Sequence, residues 1–229
     1  MEKKQNTRLK YYAVLDIEAH TNVDVTAIGL VVADNNFKVY IKKEWWFICD
    51  ERKIAKSTRD EFWSKYMEVW RKGQKMERPE EEQIKDFVET IDTLGEKLGI
   101  DEGEIIFVSD NPEFDFGRLS PYLKHYCNRE PIRYRKNGKS RPIIDYTDAM
   151  WKLGVYKHIS SKVDVVKEAD HFPSNDAYHN WLVHMISEEV LESIAIGVNA
   201  PVGFIAEACS DKVLLGFVRQ NRTVWKVKQ

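Results

Sequence analysis

Cysteine is scarce and scattered. Cys49, Cys127 and Cys209 are the three in 229 residues, and no two form a C-x-x-C. A structural zinc site built on cysteine pairs is therefore disfavoured, and an odd count fits a reducing compartment better than a disulfide framework. Long apolar runs are missing as well; none approaches the roughly 20 residues needed to span a bilayer. The basic start, MEKKQNTRLK, has no small-residue cleavage site and leads into a strand-like run, so no secretory signal is expected. An intracellular protein outside the membrane is the expectation. Positive charge is not in excess: the formal net charge is -2. That excludes a broad surface wrapping a long duplex, which is normally basic. It leaves room for an enzyme that grips only the end of a strand. Internal repeats and low-complexity tracts are also lacking. What remains is 43% hydrophobic and 31% charged, the balance of a globular chain long enough to bury one large core.

The apolar run at Tyr11–Asp16 suits a strand buried on both faces. Ala27–Ala33 and Phe37–Ile41 read as two more strands, joined by a turn at Asp34-Asn35-Asn36. Three strands so close in sequence predict an antiparallel meander. Ser57 or Thr58 is expected to cap a helix through about Arg71 that gathers Phe62, Trp63, Tyr66 and Trp70 on one face. Pro79 and the acidic run after it open a second helix, ending near Gly99. Glu104–Ser109 reads as a strand and Pro112 to about Cys127 as a helix. Ile143-Ile144-Asp145 reads as a short strand before a helix to about Leu153, and Ser174 to Gly197 as a long last helix. The order implies an α/β protein with a mixed sheet and helices on its faces. Apolar runs at 213–218 and 224–227 read as an appended C-terminal β-hairpin.

Three short segments carry the chemistry. In Asp16-Ile17-Glu18 the alternation of a strand puts both carboxylates on one face, at the end of a hydrophobic strand. Two buried anions repel unless a cation compensates. Alone, a D-x-E is more often solvated surface. Asn111-Pro112-Glu113-Phe114-Asp115 follows a strand directly and opens a helix, the place where α/β proteins build sites; alone, Asp115 is more often a residue favoured by the helix dipole. His171-Phe172-Pro173-Ser174-Asn175-Asp176 opens the last helix, and alone it is a capping acid with a loop histidine.

Taken together, the three resemble the DEDDh exonucleases, the histidine-containing branch of a family named for four acidic residues. Ribonuclease T, oligoribonuclease and polymerase proofreading domains belong to that branch. The family has D-x-E in its first strand, N-x-x-F-D after a later strand and H-x-x-x-x-D opening a final helix. Here these stand in order as Asp16–Glu18, Asn111–Asp115 and His171–Asp176, and the resemblance spans about residues 11–197. It implies a ribonuclease H-like mixed sheet with the first three strands antiparallel. An exonuclease domain would occupy 1–200, with a C-terminal β extension over 201–229 packed on it or appended to it.

The resemblance also implies a 3′→5′ exonuclease that releases nucleoside 5′-monophosphates from single-stranded ends, with RNA slightly preferred over DNA. Two Mg²⁺ or Mn²⁺ ions would be held by Asp16, Glu18, Asp115 and Asp176, with Asp16 shared between them and His171 as general base. Paired ions roughly 3.5–4 Å apart stabilise the attacking and leaving oxygens of an in-line displacement, and carboxylate oxygens suit these hard ions. A histidine with a reference pKa of about 6.5 can take a proton near neutral pH.

Ala19, His20 and Thr21 stand where the family often has Thr and Gly beside the terminal nucleotide. They are candidate substrate contacts, although His20 also reads as an ordinary loop residue. Asn111 and Phe114 join them from the second segment. Trp63 joins them from an aromatic segment similar to one bordering the active site of ribonuclease T-like enzymes, though most of that helix reads as a buried face. Pro173 departs from the family, either ordering its loop or shifting His171. The basic stretch from Arg129 to Arg141 is a phosphate-binding candidate or a solvated loop. Asp110 is expected to point away from the site of Asp115, and Asp145 reads as a cap. The partners expected are single-stranded RNA or DNA 3′ ends and, by the same resemblance, a second copy in a homodimer. The rival expectation is a scaffold or nucleic-acid-binding protein that keeps the fold with impaired catalysis. A proofreading subunit, which would need a polymerase partner, is a third.

Overall fold

The computed structural model describes residues 9–19, 24–49, 54–129, 143–145 and 171–198. The chain divides into two compact units, Met1–Ile144 with Val165–Trp181, and Asp145–Asp164 with Leu182–Gln229. Every candidate residue lies in the first. The boundary expected at 200, the C-terminal hairpin, the helix expected after Asp145, His20, Thr21 and the basic stretch beyond Arg129 lie outside the described residues.

Three strands, β1 (Tyr11–Ala19), β2 (Val25–Asp34) and β3 (Val39–Trp46), form the antiparallel meander. β4 (Ile105–Ser109) joins β1 in parallel, so the sheet is mixed, in the order β3-β2-β1-β4 with the short β5 (Ile143–Asp145) beside β4. Tyr12 to Leu15 are all buried, as a central strand covered on both faces requires. β3 runs further than the expected Phe37–Ile41. It is an edge strand whose charged residues Lys42, Lys43 and Glu44 pair with the helices beside it, so Lys42-Lys43-Glu44 conceals its strand signal.

Helices cover both faces. α1 (Met67–Gln74), α2 (Glu80–Asp92), α3 (Leu94–Leu98) and α4 (Pro112–Cys127) follow in chain order, and α5 (Pro173–Val198) comes last. On one face Ala13, Leu15, Ile17, Ile28 and Leu30 pack with Ile84, Phe87 and Ile91 of α2 and with Phe116, Leu119 and Leu123 of α4. These are every-other-residue positions of strands meeting three-and-four spacings of helices. The second helix, expected from Pro79 to Gly99, is interrupted at Thr93, whose hydroxyl donates to the Glu89 carbonyl. Gly99, with φ 69°, closes α3.

The aromatic helix differs most from expectation. Thr58–Trp63 is a π-helical stretch, and α1 starts only at Met67. Ser57 makes no side-chain cap, and the Ser64 hydroxyl donates to the Asp60 carbonyl. The four aromatics still gather on one cluster, Trp63 and Trp70 within it and Phe62 and Tyr66 at its edge. Trp63 and Trp70 turn into a core with Trp46 and Ala27, while Phe62 and Tyr66 turn toward His171. Packing of large rings overrides local helical preference here. Among the described residues, no helix is long and apolar enough to cross a membrane.

In the second unit the described residues are Asp145, which ends β5, and the continuation of α5. There Ser187 donates to the Val183 carbonyl, and His184 faces Glu188 at 3.8 Å.

Candidate active site

The register of the sheet lays out the floor of the site. Asp16 lies opposite Gly29, which lies opposite Glu44; Glu18 lies opposite Ala27, which lies opposite Trp46. These two rows share a face, because their positions in each strand differ by two. Over Gly29 passes the chain that starts α5. A Cβ at position 29 would fall on the Pro173 carbonyl, so the absence of a side chain there is what lets the helix start lie against the sheet.

Alternate side chains of β3 fasten that start in place. Glu44 Oε1 accepts from the Ser174 hydroxyl at 2.5 Å and from the Ser174 backbone N–H at 3.3 Å. Lys42 Nζ donates to Asn175 Oδ1. The Trp46 and Phe172 rings meet edge to face at 6.2 Å. Pro173 is the first residue of α5, where its fixed φ is already helical and its missing N–H is not needed. It orders the turn. The Phe172 carbonyl accepts from the N–H groups of Asn175 and Asp176. His171, just before, has φ 66°, a left-handed backbone uncommon for a residue with a Cβ.

This geometry brings His171 and Asp176 over Glu18. His171 Nδ1 is 3.8 Å from Glu18 Oε1 and 3.6 Å from Asp176 Oδ2, and Asp176 Oδ1 faces the His171 backbone N–H at 3.4 Å. One donor atom from each of Glu18, His171 and Asp176 fits within a 4.8 Å group. Asp115 joins the cluster from the first turn of α4. Its residue is buried, and Oδ2 accepts from the hydroxyl of Ser109, the last residue of β4. The Ile17 backbone also bonds to it. Ser109 Oγ in turn accepts from the Asn111 N–H at 3.0 Å.

The charges are concentrated and poorly solvated. Asp16 and Glu18 keep some surface, yet both carboxyls are surrounded by protein. Burial, followed by the fields of Glu18, Asp176, Asp115 and Asp110, holds the Asp16 carboxyl well above the usual range. Burial likewise raises Glu18; His171 pulls it down and Asp110 pushes it up. Asp115 is pushed up to about 8 by burial, against the Ser109 hydrogen bond and with a further push from Asp110. A buried carboxylate is stabilised by cations or donors, and the dominance of upward shifts marks a shortage of positive charge. The donors are mostly carboxylate oxygens, which suit a hard divalent ion.

The structure thus brings together Asp16, Glu18, Asp115, His171 and Asp176. Asp110, at the turn before α4, adds its field to those on Asp16, Glu18 and Asp115. The structure moves Trp63 from the candidate substrate surface into the core, 1% exposed and stacked edge-on with Trp70 at 4.7 Å. Ala19 ends β1 at a shift in the pairing register. Asn111 Oδ1 caps α4 by accepting the Phe114 N–H at 3.1 Å. Phe114 is half-buried on the core, with the Arg118 guanidinium 4.0 Å above its ring. Sequence reasoning missed Ser109, Gly29 and Glu44. The first was signalled by a small hydroxyl ending an apolar strand, the second by a glycine inside a strand; Glu44 has no local signal. Comparison with protein-family models and with curated proteins finds no match for the chain.

Proposed function

We propose that the protein is a metal-dependent 3′→5′ exonuclease of the DEDDh type on a ribonuclease H-like fold. It would act on single-stranded ends and prefer RNA slightly. The observation that carries the reading is convergence: three segments far apart in sequence bring four carboxylates, Asp16 among them, and a histidine together, and Asp16 experiences Glu18, Asp176 and Asp115 at once.

In this reading Asp16, Glu18, Asp115 and Asp176 hold two Mg²⁺ or Mn²⁺ ions. When bound, such ions neutralise phosphate charge and favour in-line attack. His171 accepts the proton of the attacking water, and Glu18 and Asp176 orient its Nδ1 edge. Ser109 orients Asp115. Glu44 and Lys42 hold the start of α5, so that His171 and Asp176 arrive together.

The test is incubation of the purified protein with 5′-labelled single-stranded RNA and DNA in Mn²⁺. A ladder of products shortened from the 3′ end, abolished by chelation, is the expected result, with RNA cleaved somewhat faster. No shortened product on either substrate overturns the reading. Metal and nucleic-acid binding without cleavage would point to the scaffold role instead.

A further inference from the structure

His171 has two kinds of neighbour. Its Nδ1 edge faces the carboxylates of Glu18 and Asp176. The rest of the ring meets aromatic side chains: the Tyr66 ring centroid is 3.8 Å away at 55°, and that of Phe62 is 4.7 Å away at 78°. Phe62 and Tyr66 touch each other at 5.1 Å, and Phe62 rests edge-on against buried Trp63 at 4.9 Å. A wall backed by the core therefore stands beside the imidazole. It is built by the π-helical stretch and the break before α1, with Phe62 and Tyr66 on the outer side of the core that holds Trp63 and Trp70.

From this geometry we infer that Tyr66, backed by Phe62, is a positioning residue for His171: its ring confines the imidazole so that Nδ1 stays turned toward Glu18 and Asp176. The backbone alone does not ensure this. His171 is a single left-handed residue, and its side chain is 29% exposed. Its Nδ1 lies 3.8 and 3.6 Å from the two carboxylates, and the neighbouring rings add a restraint on the plane of the imidazole. Aromatic contact supplies an oriented restraint, and a general base loses efficiency steeply when its orientation is not held. The same contact argues against Tyr66 as a stacking surface for a base, since His171 already occupies space against its ring. The catalytic part of the inference rests on His171 being the general base of the proposed exonuclease; the packing part does not.

Two measurements test it. In the first, Tyr66→Ala, Tyr66→Leu and Tyr66→Phe are compared in cleavage of a 5′-labelled oligonucleotide. Tyr66→Ala and Tyr66→Leu are expected to lower kcat about 10–100-fold with KM nearly unchanged, and Tyr66→Phe to recover most of the loss. Adding Tyr66→Ala to His171→Ala should cost nothing more. A rise in KM at unchanged kcat, or an equal loss in the His171→Ala background, overturns the inference. The second measurement needs no activity. In the metal-free protein the His171 imidazole proton resonances, assigned by their loss in His171→Ala, should carry a ring-current displacement. It should persist in Tyr66→Phe and collapse in both Tyr66→Ala and Tyr66→Leu, of which the leucine keeps bulk without a ring. Resonances that do not move in either variant overturn the inference. Should the wild type cleave neither nucleic acid, the exonuclease reading fails, and the resonances alone decide whether Tyr66 confines His171.

Discussion

Asp115 illustrates what the site demands of single residues. Its carboxyl is buried and pushed up to about 8, and Ser109 works against that shift by donating to it. Ser109→Ala removes a donor to the anion and should weaken Mn²⁺ binding about 10–100-fold, the range for partners that orient metal ligands. Isothermal calorimetry measures this, and unchanged affinity would remove Ser109 from the site. Asp16→Ala should abolish both metal binding and cleavage, because Asp16 lies within the fields of the other carboxylates. His171→Ala should cost about 10²–10⁴ in kcat, the usual contribution of a general base, while Mn²⁺ still binds. Full activity of either variant would refute its assigned role. The five candidates Asp16, Glu18, Asp115, His171 and Asp176 were legible because strand alternation and helix starts fix where such side chains go. Ser109, Asp110 and Tyr66 were not. Their roles depend on how a turn carries a side chain and on a π-helical break, and neither leaves a periodic trace.

Among the elements, the start of α5 is the most constrained. It lies over Gly29 and is tied to Glu44 and Lys42. Gly29→Ala would set a methyl against the backbone of Pro173, which cannot rotate away as a side chain could. Overpacking of this kind costs about 1–3 kcal/mol, and the displacement would carry His171 and Asp176 with it. Thermal denaturation should show the loss of stability, and Mn²⁺ calorimetry a loss of affinity; a variant normal in both would show that the close approach is dispensable. The meander, β4, α4 and the long last helix were readable from apolar runs, from Pro112 and from Asn111 as a cap. β3 was read too short because Lys42-Lys43-Glu44 looks polar, although Lys42 and Glu44 turn out to clamp α5. The helix through Phe62 and Tyr66 was read as continuous because the spacing of the rings does not reveal the π-helical stretch and the break before Met67.

At the scale of the whole molecule, the crowded carboxyls make stability depend on pH and metal. Asp115 ionises near 8 in the folded chain against 3.8 ordinarily, and Asp16 is raised as well. Between those values the folded state binds more protons than the unfolded one. Its stability therefore falls as pH rises: the contribution is full below about 4 and lost through about 8. The lowered Asp86 carboxyl, beside Lys43 and Trp45, acts at the acid end, outside that window. The metal-free protein should melt at progressively lower temperature from pH 5 to 9, and Mn²⁺ should restore more at pH 8 than at pH 6, since it takes the place of protons. A metal-free melting temperature that is flat or rises with pH contradicts this. The clamp on α5 also bears on how the chain assembles in time. Asp16 and Glu18 belong to the first strand, whereas His171 and Asp176 come from the start of the last described helix, so a long loop must close before the site exists. The sheet and its flanking helices can form first from contacts nearer in sequence. In refolding, far-UV circular dichroism should therefore recover most of its native amplitude before Mn²⁺ binding returns: for an interval the molecule would be folded through most of its core and still without a working centre.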